Sequence, residues 1–441
     1  MAMMPPPITL VGGRVIDPAR GFDRVADVLI IDGCIAAVGQ GLGYPDGARV
    51  IDVAGCVVTP GFVDLHCHLR EPGQDQKETL RSGLAAAAAG GFTTVCCMPN
   101  TVPPLDVPER VRLVHERAAA VSPVRLHVIA AISAGQQGAR LAPLRELAAA
   151  GAVAFSDDGR PVWNATLMRE ALRTAAALGL PLSVHEEDPQ LAAGGVMNAG
   201  ATAARLGLRG LPAAAEEAMI ARDLALLAAA GGRLHIAHVS TRGAVALLRD
   251  ARTRGLAVSA EATPHHLTLT DDLVARPWNG RPYDTRTKVN PPLRTPADVA
   301  ALVAGLADGT IAAIATDHAP HAAADKRCPY EEAAFGISLF ETALASILSL
   351  VHGGHLELAA LIERLTAGPA RLFGLDAGTL APGARADVTV FDPDAEWTVR
   401  AVSFLSRGHN TPLDGAMVRG RVVLTLAGGR EAYCRPGVLK G

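Results

Sequence analysis

Phe62-Val63-Asp64-Leu65-His66-Cys67-His68 is an apolar run that ends in a His-x-His pair. Lys77–Ala89 follows with apolar residues at three- and four-residue intervals, and glycines separate it from a second apolar run, Phe92-Thr93-Thr94-Val95-Cys96-Cys97. Buried strand, amphipathic helix, buried strand is the repeating unit of a parallel sheet. The same alternation recurs down the chain. Further apolar runs lie at Leu126–Ala131, Ala152–Ser156, Leu182–His185, Leu234–His238, Leu256–Glu261 and Ile311–Thr316. Helical patterns at Glu109–Ala120, Ala165–Leu178, Glu216–Ala230, Arg242–Arg254 and Pro296–Ala307 lie between them. Eight buried strands alternating with helices predict an α/β fold, a closed (β/α)8 barrel of the TIM type. Its active site is expected at the C-terminal ends of the strands. Two connections, Glu186–Ala215 and Thr263–Thr295, are long enough to be functional.

The two ends of the chain read differently. Ile8–Leu10, Arg14–Ile16, Val28–Ile31, Ile35–Val38, Val50–Val53 and Cys56–Thr59 are short strand patterns broken by turn residues. Asp387–Phe391, Trp397–Val399, Ala416–Arg419 and Arg421–Leu426 repeat the style in the tail. Neither set has enough strands to stand alone. They are expected to pack as one small β-sandwich, with residues 1–58 and 377–441 flanking a barrel over 59–376.

The bulk properties exclude several classes. A net charge of -3 with 19% charged residues leaves no basic footprint for nucleic acid. No uncharged apolar stretch approaches the ~20 residues of a membrane span. Met1–Pro7 lacks the basic start and apolar core of a signal peptide. Seven cysteines, an odd number with only Cys96-Cys97 adjacent, point to reduced thiols in a cytoplasm.

Most of the apolar runs end in metal-ligand chemistry. His66 and His68, two apart, share one face of a strand, and Cys67 is expected to point away with Val63 and Leu65. Asp157-Asp158 closes the fourth run, and spacing alone does not choose between them. His185 and His238 end the fifth and sixth runs, while His235, three residues before His238, reads as a packed side chain. Asp317-His318-Ala319-Pro320-His321 follows the eighth run. Its Asp can ligate a metal and move a proton, and His318 and His321 are candidates for metal or substrate. Four histidines and two carboxylates suffice for two zinc ions about 3.5–4 Å apart. With a shared hydroxide the centre keeps about one positive charge, which favours an anionic substrate.

At these residues the chain resembles the amidohydrolase superfamily, and within it the bacterial class I dihydroorotases. The resemblance covers nearly the whole sequence. It rests on Asp64–Gly73, Met98-Pro99-Asn100-Thr101, Phe155-Ser156-Asp157-Asp158-Gly159, His238-Val239-Ser240-Thr241, Asn290-Pro291-Pro292-Leu293-Arg294 and Thr316–His321. It implies reversible closure of N-carbamoyl-L-aspartate to L-dihydroorotate, a step of pyrimidine (UMP) synthesis, with two Zn2+ per chain. His66, His68 and Asp317 would hold one zinc, His185 and His238 the other, with Asp158 and a hydroxide bridging. Many relatives bridge with a carboxylated lysine; this chain has only Lys77, Lys288, Lys326 and Lys440, none at the end of strand four.

Asp317 would be the catalytic acid–base group. His68-Leu69-Arg70, Asn100, Asn290, His321 and the backbone at Phe335-Gly336 would contact the substrate. Arg70, Asn100 and His321 would hold its α-carboxylate. Glu186, where some members have Cys, would place a carboxylate near the second zinc, and His265-His266 would brace the strand-seven loop. The loop from His321 to Gly336, lacking an apolar period, is expected to move. A homo-oligomer is expected, and association with aspartate carbamoyltransferase is a further implied partner. The rival readings are a hydantoinase or allantoinase, and a metal-free scaffold for a carbamoyltransferase.

Overall fold

The structure is a computed structural model describing residues 6–278 and 280–437; residues 1–5 of the leader reading and Lys440 lie outside that range. Eight strands form the barrel: Phe62–Cys67, Phe92–Cys97, Arg125–Ala130, Ala152–Phe155, Leu182–Val184, Leu234–Ile236, Val258–Ala262 and Ala313–Ile314. We number them one to eight. Neighbours pair in parallel in that order. Strand-end chemistry closes the ring between strands eight and one. Asp317 N donates to His66 O at 2.9 Å and His68 N to His318 O at 2.9 Å. The buried Asp64 carboxylate accepts from Thr316 N (2.7 Å) and Thr316 Oγ1 (2.6 Å).

Local chemistry sets the helix starts. Thr79 caps Leu80–Ala89 in a reciprocal capping box with Ser82, and Thr295 does the same with Asp298 at Pro296–Ala307. Strand residues such as Val95, Val128, Phe155, Leu182 and Ile236 pack on helix residues such as Leu84, Leu172 and Leu248. The intervening ones, Val63, Leu65, Cys96, Met98, Ile129, Ala154 and Ala313, fill the barrel interior with Phe373. Cys67 therefore does not share a face with Val63 and Leu65, as strict alternation predicts. A register shift between Asp64 and Cys67 reverses the phase, sending Cys67 outward while His66 and His68 still face the centre.

Strands five, six and eight are shorter than their apolar runs. His185, His238 and Asp317 lie beyond the last ladder residues rather than on them. His238 (φ 33°) and Asp317 (φ 46°) adopt left-handed backbone, and so does Arg70 (φ 61°). That conformation is costly for residues with a Cβ and turns each side chain out of the strand's alternation.

The chain ends interleave in one continuous eight-stranded sheet. Ile8–Asp17 lies inside it, antiparallel to Phe22–Ile31. Its other edge pairs in parallel first with Arg49–Asp52, then, beyond a bulge, with Val57–Pro60. Val57–Pro60 pairs with Val388–Thr398 from the tail, which continues the sheet through Met417–Ala427 to Arg430–Cys434. Both ends feed one core, including Leu10, Val28 and Ile51 with Val388, Leu424 and Leu426. Val57–Pro60 runs through Gly61 straight into barrel strand one. There a Cβ would lie 2.0 Å from Thr93 Oγ1, so only glycine fits. All seven cysteines are free, and among the described residues no helix is long and apolar enough to cross a membrane.

Candidate active site

Six side chains from strands one, four, five, six and eight meet at the C-terminal end of the barrel. Asp158 is at their centre. Its Oδ1 lies 3.3 Å from His66 Nε2, 3.7 Å from His238 Nε2 and 3.9 Å from His185 Nδ1, and its Oδ2 lies 3.5 Å from His68 Nε2. Asp317 Oδ1 is 3.0 Å from His68 Nε2 and 3.5 Å from His66 Nε2. His185 Nδ1 and His238 Nε2 are 2.9 Å apart. Two groups of this set have the geometry to hold a cation: His66, His68 and Asp158, and Asp158, His185 and His238. They share Asp158.

The donor set fits divalent metal. His66 Nε2, His185 Nε2 and Asp158 Oδ1 are buried without any hydrogen-bond partner. His66 Nε2 and Asp158 Oδ1, orphaned 3.3 Å apart, are costly unless a cation completes them. The electrostatics agree. Burial raises the pKa of the Asp158 carboxyl, but His66, His238 and His68 hold it well below the usual carboxylate range. Asp317 is likewise lowered on balance: burial opposes it, while the hydrogen bond from His68 and the charges of His66, His68 and His238 favour the anion.

Asp157, adjacent in sequence, is bonded elsewhere. Its Oδ1 accepts from Ile132 N (2.9 Å) and Ser133 N (3.0 Å), and Ser133 Oγ donates to its other oxygen. His318 is also turned away: its Nδ1 accepts from Leu339 N at 3.0 Å, its Nε2 faces Glu78, and its ring stacks on Phe340. Its candidacy as a metal or substrate ligand therefore falls. Glu186 does not approach the histidines either. It meets Asp223, and burial followed by Asp223's charge raises its pKa well above the ordinary value.

One residue was missed by the sequence reading. Glu261, fully buried at strand seven, accepts from His66 Nδ1 (2.8 Å) and from His235 Nε2 (3.0 Å). It fixes the His66 tautomer that presents Nε2 to the centre, the role a carboxylate plays behind a ligating histidine. His235, read as packing, completes this chain through Ser259 Oγ at 2.8 Å. The only hint was a glutamate at the end of an apolar run. On the other ligand, His68 Nδ1 donates to Asn100 Oδ1 (2.9 Å), while Asn100 Nδ2 donates to Asp158 Oδ2 (3.0 Å).

Beside the centre is a cavity of about 190 Å³ walled by His68, Arg70, Asn100, Asp158, Asn290 and Asp317, with Phe335 and Gly336. Arg70 is buried, its Nε donates to Pro320 O (3.2 Å), and no carboxylate of the protein pairs with it among the described residues. Burial lowers its pKa to about 10. Asn290 donates to Glu187 Oε2 (2.8 Å), and its Oδ1 has no partner.

Two of the expected contacts differ. Leu69's side chain packs in the outer core against Gly83, and Leu69 does not line the cavity. His321 sits behind the wall, with Nε2 2.8 Å from Phe335 O and 3.4 Å from Arg70 Nη2. His266 braces the strand-seven loop as expected, through Pro291 O (2.9 Å). The segment His321–Gly336 is tied at both ends to Asn410, whose Oδ1 accepts from His321 N (2.9 Å) and whose Nδ2 donates to Gly336 O (3.0 Å), and Tyr330 within it is buried.

Residues 55–244 match the family model described as dihydro-orotase-like. The dihydroorotase of Anaeromyxobacter dehalogenans (strain 2CP-C) is 55% identical over 422 residues, covering 96% of each chain. The chain belongs to the dihydroorotase family. The dihydroorotase of Syntrophus aciditrophicus (strain SB) is 48% identical, over 97% of this chain and 99% of that one. Among solved structures, the L-hydantoinase (dihydropyrimidinase) of Arthrobacter aurescens superposes with a TM-score of 0.86 at 28% identity, over 98% of this chain and 97% of that one. Membership of the dihydroorotase family makes this chain an enzyme, a hydrolase of cyclic amides on a (β/α)8 barrel.

Proposed function

We propose that this chain interconverts L-dihydroorotate and N-carbamoyl-L-aspartate, the ring-closing step of pyrimidine (UMP) synthesis, at a dinuclear zinc centre. The observation that carries the reading is a buried, carboxylate-free Arg70 beside six converging metal-type ligands. A buried guanidinium that lies outside ion-pair distance of any described carboxylate suits a substrate bearing a free carboxylate, which dihydroorotate has and a simple hydantoin lacks. Asn100 and the Arg70–His321 pair border the same group, and Asn290 Oδ1 is free to accept from a ring N–H.

His66, His68 and Asp317 would hold one zinc and His185 and His238 the other, with Asp158 between. Bound there, zinc lowers the pKa of water toward neutrality and polarises a carbonyl oxygen. The chain's own residues do the rest. Arg70 and Asn100 orient the ring by its carboxylate, so that the scissile carbonyl faces the centre. Asp317 takes the proton of the attacking water and returns it to the departing ring nitrogen. In the closing direction the same carboxylate removes a proton from the carbamoyl nitrogen, which bonds to the side-chain carboxylate carbon while one carboxylate oxygen leaves as water with that proton and one from solvent.

Hydrolysis of L-dihydroorotate, hydantoin and allantoin, measured side by side on zinc-loaded protein with metal analysis, tests this. Dihydroorotate is expected to be much the best substrate, with two zinc ions per chain. Preference for hydantoin or allantoin, or at most one zinc after supplementation, would overturn it.

A further inference from the structure

Two lysines cross between the loops that follow strands seven and eight. Lys326 is buried, and its Nζ donates to Thr285 O (3.1 Å), Lys288 O (3.2 Å) and Ala334 O (2.6 Å). The first two carbonyls belong to the strand-seven loop and the third to the strand-eight loop. Lys288 reaches the opposite way: its Nζ donates to Glu331 O (2.9 Å) and lies 4.5 Å from the centre of the Phe335 ring. Gly336 N adds a third tie, to Lys288 O at 2.9 Å. Neither ammonium has a carboxylate within ion-pair distance among the described residues. Lys288 directly precedes Val289 and Asn290, and Ala334 directly precedes Phe335 and Gly336. All four of those residues line the cavity.

We propose that Lys326 and Lys288 are positioning residues, a reciprocal clasp that sets the distance between Asn290 and Phe335-Gly336 and so shapes the wall that receives the substrate ring. An ammonium has three donors and no acceptor, and Lys326 spends all three on backbone carbonyls of two separate loops. An apolar residue would pack such a gap at less desolvation cost. What the buried charge adds is a fixed separation, since three charge-assisted bonds leave its carbonyls little freedom. Burial, followed by the Lys288 charge, lowers the pKa of Lys326, but the three carbonyl oxygens around Nζ can only accept and so call for the ammonium form. Neither lysine touches a histidine or carboxylate of the metal centre, so the clasp acts on substrate binding rather than on the metal.

The inference rests on the proposed site, and its test keeps the two apart. Lys326→Met, Lys326→Arg and Lys288→Met are compared with wild type as full-length zinc-loaded proteins. KM and kcat are measured with whichever of dihydroorotate, hydantoin and allantoin the wild type turns over, so a wrong substrate assignment shows in the wild type alone. Zinc content and amide exchange in segments 285–290 and 331–336 are read in parallel. Lys326→Met should raise KM about tenfold or more while kcat changes less than about threefold. It should keep both metals and speed exchange in both loops together. Lys326→Arg, which keeps the charge, should recover part of the loss. Unchanged KM overturns the clasp, as does a joint fall in zinc, kcat and stability. If Lys326→Met does not fold, Lys288→Met is judged by the same split.

Discussion

At the scale of single residues, the centre depends on side chains that hold ligands as much as on the ligands. Glu261→Gln replaces an acceptor of two imidazole N–H groups by an amide that cannot accept from both. Zinc affinity in a chelator competition should fall about 10- to 100-fold, with the fold unchanged by circular dichroism; undiminished affinity would show that Glu261 only fills space. Asp158→Ala should lose metal, whereas Asp157→Ala should keep it and be less stable by roughly 1–3 kcal/mol, having stranded Ile132 N and Ser133 N. Greater zinc loss in Asp157→Ala would reverse the assignment. His66, His68, His185, His238 and Asp317 were legible because each stands at the end of an apolar run, where a barrel gathers its chemistry. Glu261 obeyed the same positional rule but had no partner nearby in sequence to give it away. His318 misled for the converse reason, and Asp157 could not be told from Asp158 by spacing. Each is adjacent to a ligand candidate, and a one-residue step along the chain points a side chain elsewhere.

At the scale of elements, strand positions and most helices were visible in periodicity, but strand ends were not. Apolar runs six and eight continue past their assigned ends because single backbone bonds still tie them to neighbouring strands, as Ala237 N to Val184 O, Val239 N to Glu261 O and Ala315 N to Ala262 O. The seam between strands eight and one was also invisible, since its bonds join residues some 250 apart, as in Asp64 to Thr316. Thr316→Val keeps size and branching but removes the hydroxyl donor to a buried carboxylate. Urea unfolding should show a loss of about 1–3 kcal/mol, with zinc binding weakened because His66 and Asp317 flank the seam. An unchanged midpoint would mean that the backbone bonds alone close the barrel. The anchoring of His321–Gly336 could not be read either. Its ties are Asn410, from far along the chain, and lysines whose acceptors are backbone carbonyls.

At the scale of the whole molecule, we propose that residues 1–58 and 377–441 form a single folding unit fused to the barrel through Gly61. Acid should weaken the molecule in a traceable way. His127, on strand three, has its pKa lowered to about 4, by burial first and then by the Arg125 charge. Below pH 6.5 the unfolded chain binds a proton there that the folded chain refuses, so this stability is present above 6.5 and lost as pH falls toward 4. The loss is at most about 3 kcal/mol. Metal-free His127→Gln should show a flatter fall of Tm between pH 6.5 and 4 than metal-free wild type; parallel curves would place the titration elsewhere. The scarcity of lysine has a practical outcome. The chain meets solvent with arginine, and of the three lysines described only Lys77 is reachable, its side chain 19% exposed beside Asp325. An amine-acylating reagent should therefore mark Lys77 quickly and spare Lys288 and Lys326, as peptide mass spectrometry would show. Lys326, its Nζ held by three backbone carbonyls, would acylate only when its loops part. The label then becomes a clock for the opening of the catalytic cavity, built into the protein without any engineered tag.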